Sequence, residues 1–266
     1  MKLHQLVWVT DGDTAVGRAL IRRLAQDGAS LLIGSQTDGQ ALEEELALVK
    51  AQGLQAMLTA VNLTDAKATA EMLVQAEERM GPVSVLIHNH DRVHRASVES
   101  CEEQDFIACM RDNAKTAFVC TQAAGALMAK RQSGSILYLS SIHAHKPTGS
   151  AFAYSAAKGA VHMLAKEAAL ALGRSGIRVN TVEIGALAGD QERFASEIST
   201  LYRDFPYKVP QAEPVTEAAI AELAAFLASD ASRHLNGADI RLDGGFVLHY
   251  MDVKMKQPPP ATGGEA

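Results

Sequence analysis

Tyr154 and Lys158 open a stretch rich in small residues, YSAAKGAVHMLAKEAALALG. A spacing of four places the phenol and the ammonium on one helical face, one turn apart. A cation beside a phenol favours the phenolate and draws its pKa down from about 10. Such a pair can act as general acid/base at a hydroxyl or carbonyl group. The same spacing also suits an ordinary packed pair, so the chemistry needs further groups. Ser141 stands thirteen residues upstream and closes GSILYLSS, a strand whose carboxyl end is where open α/β sheets gather ligands. Asn113, in DNAKTAF, falls within a predicted helix.

The elements that must position these groups alternate along the chain. Short, nearly continuous apolar runs occur at 6–9, 30–34, 56–61, 83–88, 135–140, 177–182 and 239–242, the pattern of strands covered on both faces. Amphipathic segments such as AVGRALIRRLAQDG and DAKATAEMLVQAEERMG lie between them and close on glycine, where a left-handed cap is wanted. This alternation predicts right-handed crossovers and a single doubly wound parallel sheet, Rossmann-like, of seven strands flanked by helices. Residues 1–250 read as one domain. Residues 251–266 read as a C-terminal tail, and its end, PPPATGGEA, has the composition of a disordered segment.

Composition excludes several classes of function. At 47% hydrophobic and 21% charged residues, the 266-residue chain has ample core. A net charge of −6 without a dense basic stripe offers nothing to nucleic acid. No run approaches the roughly 20 apolar residues that span a bilayer, so no membrane partner is expected. Cys101, Cys109 and Cys120 show neither CxxC spacing nor an even count, which fits free thiols and a cytoplasmic location.

Taken together, YSAAK, the upstream Ser141, Asn113, IRVNTVEIGALAG and the terminal LDGG resemble the short-chain dehydrogenase/reductase family over about residues 5–245. The resemblance implies a nicotinamide-dependent oxidoreductase interconverting an alcohol and a carbonyl of a small molecule. It makes Tyr154 the proton donor or acceptor. Lys158 would tune that tyrosine and bond the nicotinamide ribose, Ser141 would polarise the substrate oxygen, and Asn113 would hold a water of the proton relay. It further implies a homodimer or homotetramer joined through long helices at about 102–130 and 152–174. Two other possibilities stay open: a same-fold lyase, isomerase or dehalogenase that uses no free dinucleotide, and a non-catalytic ligand-binding member.

The cofactor-binding positions that follow from the resemblance are Thr10, Gly12, Val16, Gly17, Ser35, Asn62, Asn89, Gly185 and Leu187, together with Tyr154 and Lys158. Several depart from the family pattern. In VTDGDTAVGRAL, Asp11 stands for the first glycine of TGxxxGxG and Ala15 for the second, while Gly17 keeps the third. Gly12 is expected to take the tight turn one residue late. Asp11 and Asp13 either repel a pyrophosphate, at roughly 3 kcal/mol for a like pair about 5 Å apart, or point to solvent or cap the helix amides. The family's NNAG reads His88-Asn89-His90-Asp91, Asn62 replaces the acid near the adenine, and Ile184 replaces the proline before Gly185. The end of the second strand carries Ser35 and Gln36, neither an acid for NAD nor a base for NADP. Their capacity to donate to a phosphate favours NADP over NAD.

Five histidines fall in IHNHDRVHRA and SIHAH. With both segments at the carboxyl edge, His90, His94, His143 and His145 are expected to line a polar substrate pocket, with charge switching near neutral pH. H-x-H pairs in extended chain point apart and no HExxH motif accompanies them, so no metal site is expected. The polar segment 189–214 is expected to act as a lid over the substrate.

Overall fold

The computed structural model describes residues 5–194, 202 and 209–248. The expected tail at 251–266 and half of the expected lid at 189–214 lie outside the described residues. Seven strands form one all-parallel sheet: β1 (Leu6–Val9), β2 (Ser30–Gly34), β3 (Ala56–Thr59), β4 (Val83–His88), β5 (Gly134–Ser141), β6 (Ile177–Ile184) and β7 (Asp239–Leu242). Their spatial order is β3-β2-β1-β4-β5-β6-β7. The order reverses between β1 and β4, which opens a crevice at their carboxyl ends.

The apolar runs become strands because helices bury both faces. Every residue of β1 is buried. On one side Val7, Val9, Ile33 and Ile87 pack against α1 (Ala15–Gln26) and α8 (Glu217–Ala228). On the other, Trp8, Leu86, Ile136 and Val179 meet α3 (Ala66–Met80), α5 (Thr116–Arg131) and α6 (Phe152–Gly173). The shorter α2 (Glu43–Ala51), α4 (Glu103–Met110) and α7 (Asp190–Arg193) complete the described helices. Helix starts follow the chemistry of their first residues: Thr14 caps α1 by accepting from Gly17 N at 3.0 Å, and Asp65 caps α3. Gly28 and Gly81 end helices with φ of +83° and +89°, as predicted.

The first turn is tighter than its single retained family glycine suggests. A Cβ on Gly17 would fall 2.1 Å from the Asp11 carbonyl oxygen. Gly12 is not the left-handed turn residue expected of it. Its N–H donates to Gly34 O at 2.7 Å, and a Cβ there would strike Ile33 at 2.4 Å. Close approach of β1 to β2, rather than a special φ, is what requires glycine at position 12.

Candidate active site

Tyr154 and Lys158 lie on the inner face of α6, and Ser141 ends β5 opposite them. All three are buried. Ser141 stands beside the Tyr154 phenol and accepts from His143 N at 3.2 Å. Ser141 and Tyr154 line a cavity of about 250 Å³ with Gly185, Leu187, Asp91 and Arg193. A fourth group changes the site's electrostatics. Asp91, just past β4, accepts the Tyr154 hydroxyl at 2.6 Å and pairs with Lys158 Nζ at 3.0 Å. Its other oxygen takes Arg193 of α7 at 2.6 Å. Lys158 also donates to His90 O at 2.9 Å.

These contacts correct the expected direction of the tyrosine shift. Burial, then the charge and hydrogen bond of Asp91, push the Tyr154 phenol well above its usual range. Burial alone would raise Asp91, but the Lys158 and Arg193 charges outweigh it and hold the carboxyl well below the usual range. The lysine's field is thus spent on Asp91, and Tyr154 stays a neutral donor. The Asp91 side chain is 35% exposed toward the cavity, so a ligand can compete for its partners.

A second cavity, about 580 Å³, lies on the far side of the β1–α1 turn. It is lined by Thr10, Asp11, Gly34, Gln36, Asn62 and His90, and Thr14 and Asp91 face both cavities. Val16 lines the first cavity beside Gly185. Neither Asp11 nor Asp13 caps the amides of α1, a role that Thr14 takes; both carboxylates accept other donors. Asp11 Oδ1 accepts Asp13 N at 3.2 Å, and burial pushes its carboxyl above the usual range. Asp13 reaches across to the end of β2, where it accepts Ser35 Oγ at 2.8 Å, Gln36 N at 2.7 Å and both donors of Thr37. The Ser35 hydroxyl, one of the donors expected to favour NADP, is therefore already held by a carboxylate. Asn89 fastens the turn instead of presenting a free amide: it accepts Asp11 N at 2.9 Å and donates to Asp11 O at 2.6 Å, and Thr10 Oγ1 bonds it as well. Asn62 accepts both donors of Thr64 in a local turn.

The expected histidine pocket does not assemble. His88 is buried on Thr116, and burial keeps it neutral. His90 faces the second cavity and Thr10 O, and His94 pairs with Asp105 at 3.3 Å. His143 stands behind Tyr154, between Lys146 O and the Tyr202 hydroxyl, in a cluster with Phe194, and burial lowers it to about 4. His145 turns the other way, onto Glu183. The chain turns through a 3-10 helix at Ile142–Ala144, with three residues per turn, which sends His143 and His145 to different sides.

Asn113 sits in a π-helical turn, Arg111–Lys115, between α4 and α5. Its amide is fully engaged: Nδ2 donates to Arg92 O and Cys109 O, each at 2.9 Å, and Oδ1 accepts Arg92 N at 3.2 Å. These contacts tie the loop that carries Asp91 to the π-helical turn. Asp91 and Arg193 are the functional candidates that motif matching missed. The signal for Asp91 was a carboxylate where the family's NNAG has glycine.

The chain matches the enoyl-(acyl carrier protein) reductase family model over residues 12–247. It is 29% identical to the 3-oxoacyl-[acyl-carrier-protein] reductase FabG of Staphylococcus aureus over 93% of this chain and 100% of that one. It is 28% identical to the 2,5-dichloro-2,5-cyclohexadiene-1,4-diol dehydrogenase LinX of Sphingobium indicum over 90% of this chain and 94% of that one. The crystal structure of acetoin dehydrogenase from Enterobacter cloacae superposes with a TM-score of 0.82 at 28% identity, covering 94% of this chain and 99% of that one. With its seven-stranded parallel sheet and its Ser141–Tyr154–Lys158 site, the chain belongs to the short-chain dehydrogenase/reductase family of oxidoreductases.

Proposed function

We propose that the protein interconverts an alcohol and a carbonyl of a small molecule with a nicotinamide dinucleotide, Tyr154 moving the proton. The observation that carries this reading is the convergence of Ser141 and Tyr154 on one cavity, with Lys158 beside them. The cofactor implied by the family fits the shape of the crevice. One cavity lies on each side of the α1 N-terminus, with Thr14 and Asp91 lining both, as the two halves of a dinucleotide require. Val16, Gly185 and Leu187 would border its nicotinamide end, and Gln36 and Asn62 its adenosine end. The Asp13 carboxylate favours NAD, because it occupies the Ser35 hydroxyl and the Gln36 backbone N–H at the end of β2 and would repel a 2′-phosphate.

When bound, the nicotinamide supplies the hydride donor or acceptor. Ser141 holds the substrate oxygen and stabilises charge developing on it. Tyr154, kept neutral, gives its proton to that oxygen once the oxygen replaces Asp91 as its acceptor. Lys158 and Arg193 keep Asp91 ionised, so the displaced carboxylate still has partners. Exposed Phe118 on α5 and Met163 and Leu170 on α6 support a homodimer or homotetramer joined through these helices. The free thiols of Cys101, Cys109 and Cys120 support a cytoplasmic setting. Among the described residues, no helix is long and apolar enough to cross a membrane.

A second reading, a same-fold enzyme without a free dinucleotide, is favoured by one observation. Asp11, Asp13 and Asp91 already hold donors along the crevice. The test is NADH-dependent turnover of a panel of small diketones, hydroxyketones and β-keto thioesters. The oxidoreductase reading expects turnover of at least one compound, lost in Tyr154→Phe while NADH affinity stays within about threefold. Full turnover in Tyr154→Phe overturns the proton role. No binding of either NADH or NADPH by folded protein selects the second reading.

A further inference from the structure

Away from the proposed catalytic cavity, four ligand-type side chains from four elements meet beneath α6. His145 follows β5, His162 lies on α6, Glu183 on β6 and Asp239 begins β7. His162 continues the i, i+4 stripe of Tyr154 and Lys158 by one turn. Glu183 Oε1 stands 2.7 Å from His145 Nε2 and 3.6 Å from His162 Nδ1, which is itself 3.2 Å from Asp239 Oδ1. The ligand atoms of His145, His162 and Glu183 all lie within 4.8 Å of one another. His162 is 9% exposed, and its Nδ1 is buried without a hydrogen bond.

The outer contacts follow one scheme. Arg241 Nε holds Glu183 Oε2 at 3.2 Å, and Lys166 holds Asp239 Oδ2. Each carboxylate therefore has one oxygen fixed by a cation and the other aimed at the imidazoles, the way outer partners orient monodentate ligands. Four ligands around a tetrahedral zinc, each about 2.0–2.1 Å from the metal, stand about 3.4 Å apart. Three of the six separations, 2.7, 3.2 and 3.6 Å, bracket that spacing, with Asp239 Oδ1 entering through His162. Two imidazoles with two carboxylates suit zinc rather than magnesium or calcium, which prefer all-oxygen shells.

From this geometry we propose that His145, His162, Glu183 and Asp239 form a zinc site that ties α6 to the ends of β6 and β7. His145, its side chain 42% exposed, is the entry side. The site uses His145 without His143, so it does not depend on the H-x-H spacing. Arg241 and Lys166 already balance the two carboxylates, which sets the affinity in the micromolar range rather than tighter.

The test is calorimetric titration of zinc into chelator-treated full-length protein, with cobalt(II) absorption as the reporter of tetrahedral geometry. One equivalent per chain, a tetrahedral cobalt spectrum and at least a hundredfold weakening in His145→Ala and in His162→Gln are expected. The surface variant His94→Ala should bind as the parent does. His145→Ala changes a half-exposed side chain, so its fold is retained and its loss of binding is interpretable. No zinc binding by the parent overturns the proposal, and so does binding unchanged in both histidine variants. An octahedral cobalt spectrum overturns the four-ligand assignment.

Discussion

Replacing Asp91 by asparagine tests the electrostatics of the site in one step. Asparagine keeps an oxygen to accept the Tyr154 hydroxyl, now 2.6 Å away, but removes the negative charge. A phenolate and a carboxylate with charge centres about 4 Å apart repel by about 4 kcal/mol at an effective dielectric of 20. Solvent reaches the Asp91 side chain, 35% exposed, and halves that to about 2 kcal/mol by screening. The phenolate fraction of Tyr154 at a given alkaline pH should thus rise about thirtyfold in Asp91→Asn. Lys158 and Arg193, relieved of their shared partner, push in the same direction. Tyrosinate absorbance during a pH titration measures this, with Asp91→Asn/Tyr154→Phe subtracted to isolate one of the five tyrosines. An unchanged titration, or one moved to higher pH, refutes the claim that Asp91 holds the phenol neutral.

Three further outcomes follow. Ser141→Ala should lower kcat about a hundredfold with little change in NADH affinity, since the hydroxyl acts on charge that develops during reaction; steady-state kinetics on any substrate found in the panel reads this. Gly17→Ala should cost about 3 kcal/mol, because its methyl would fall 2.1 Å from a backbone oxygen, and thermal unfolding should show a loss on the order of 8 °C. The raised Asp11 carboxyl sets a pH dependence. Its protonation stabilises the fold fully below the unfolded carboxyl's pKa of about 3.9, and this is lost as pH rises through the higher folded value. NADH affinity should fall over the same rise as the turn gains charge, and Asp11→Asn should flatten both profiles.

Sheet and helices were legible because strands buried on both faces read as unbroken apolar runs. Six of the seven runs match their strands or lie within them, and the strand of 56–61 ends two residues early, at Thr59. The Tyr154–Lys158 stripe of α6 was legible too, since an i, i+4 spacing on a helix sets relative orientation by itself. Partnerships between distant loops were not. Asp13 belongs by sequence to the first turn, yet its carboxylate sits at the end of β2, an acid that no reading of Ser35 and Gln36 could supply. Lys158 was read against Tyr154 alone, because the loop after β4 gives no periodic sign of where Asp91 will reach. The histidines misled for a related reason. Two residues apart in the 3-10 turn after β5, His143 and His145 face different partners, whereas His145 and His162, distant in sequence, meet on Glu183.

The central claim is that this acid-lined crevice still seats a nicotinamide dinucleotide beside Tyr154 and distinguishes its two forms. Parallel fluorescence titrations of the purified chain with NADH and NADPH at neutral pH test it most directly. Saturable NADH binding, at least tenfold tighter than NADPH and with that margin reduced in Asp13→Ala, is the predicted result. A folded protein that binds neither form, or that prefers NADPH, contradicts it.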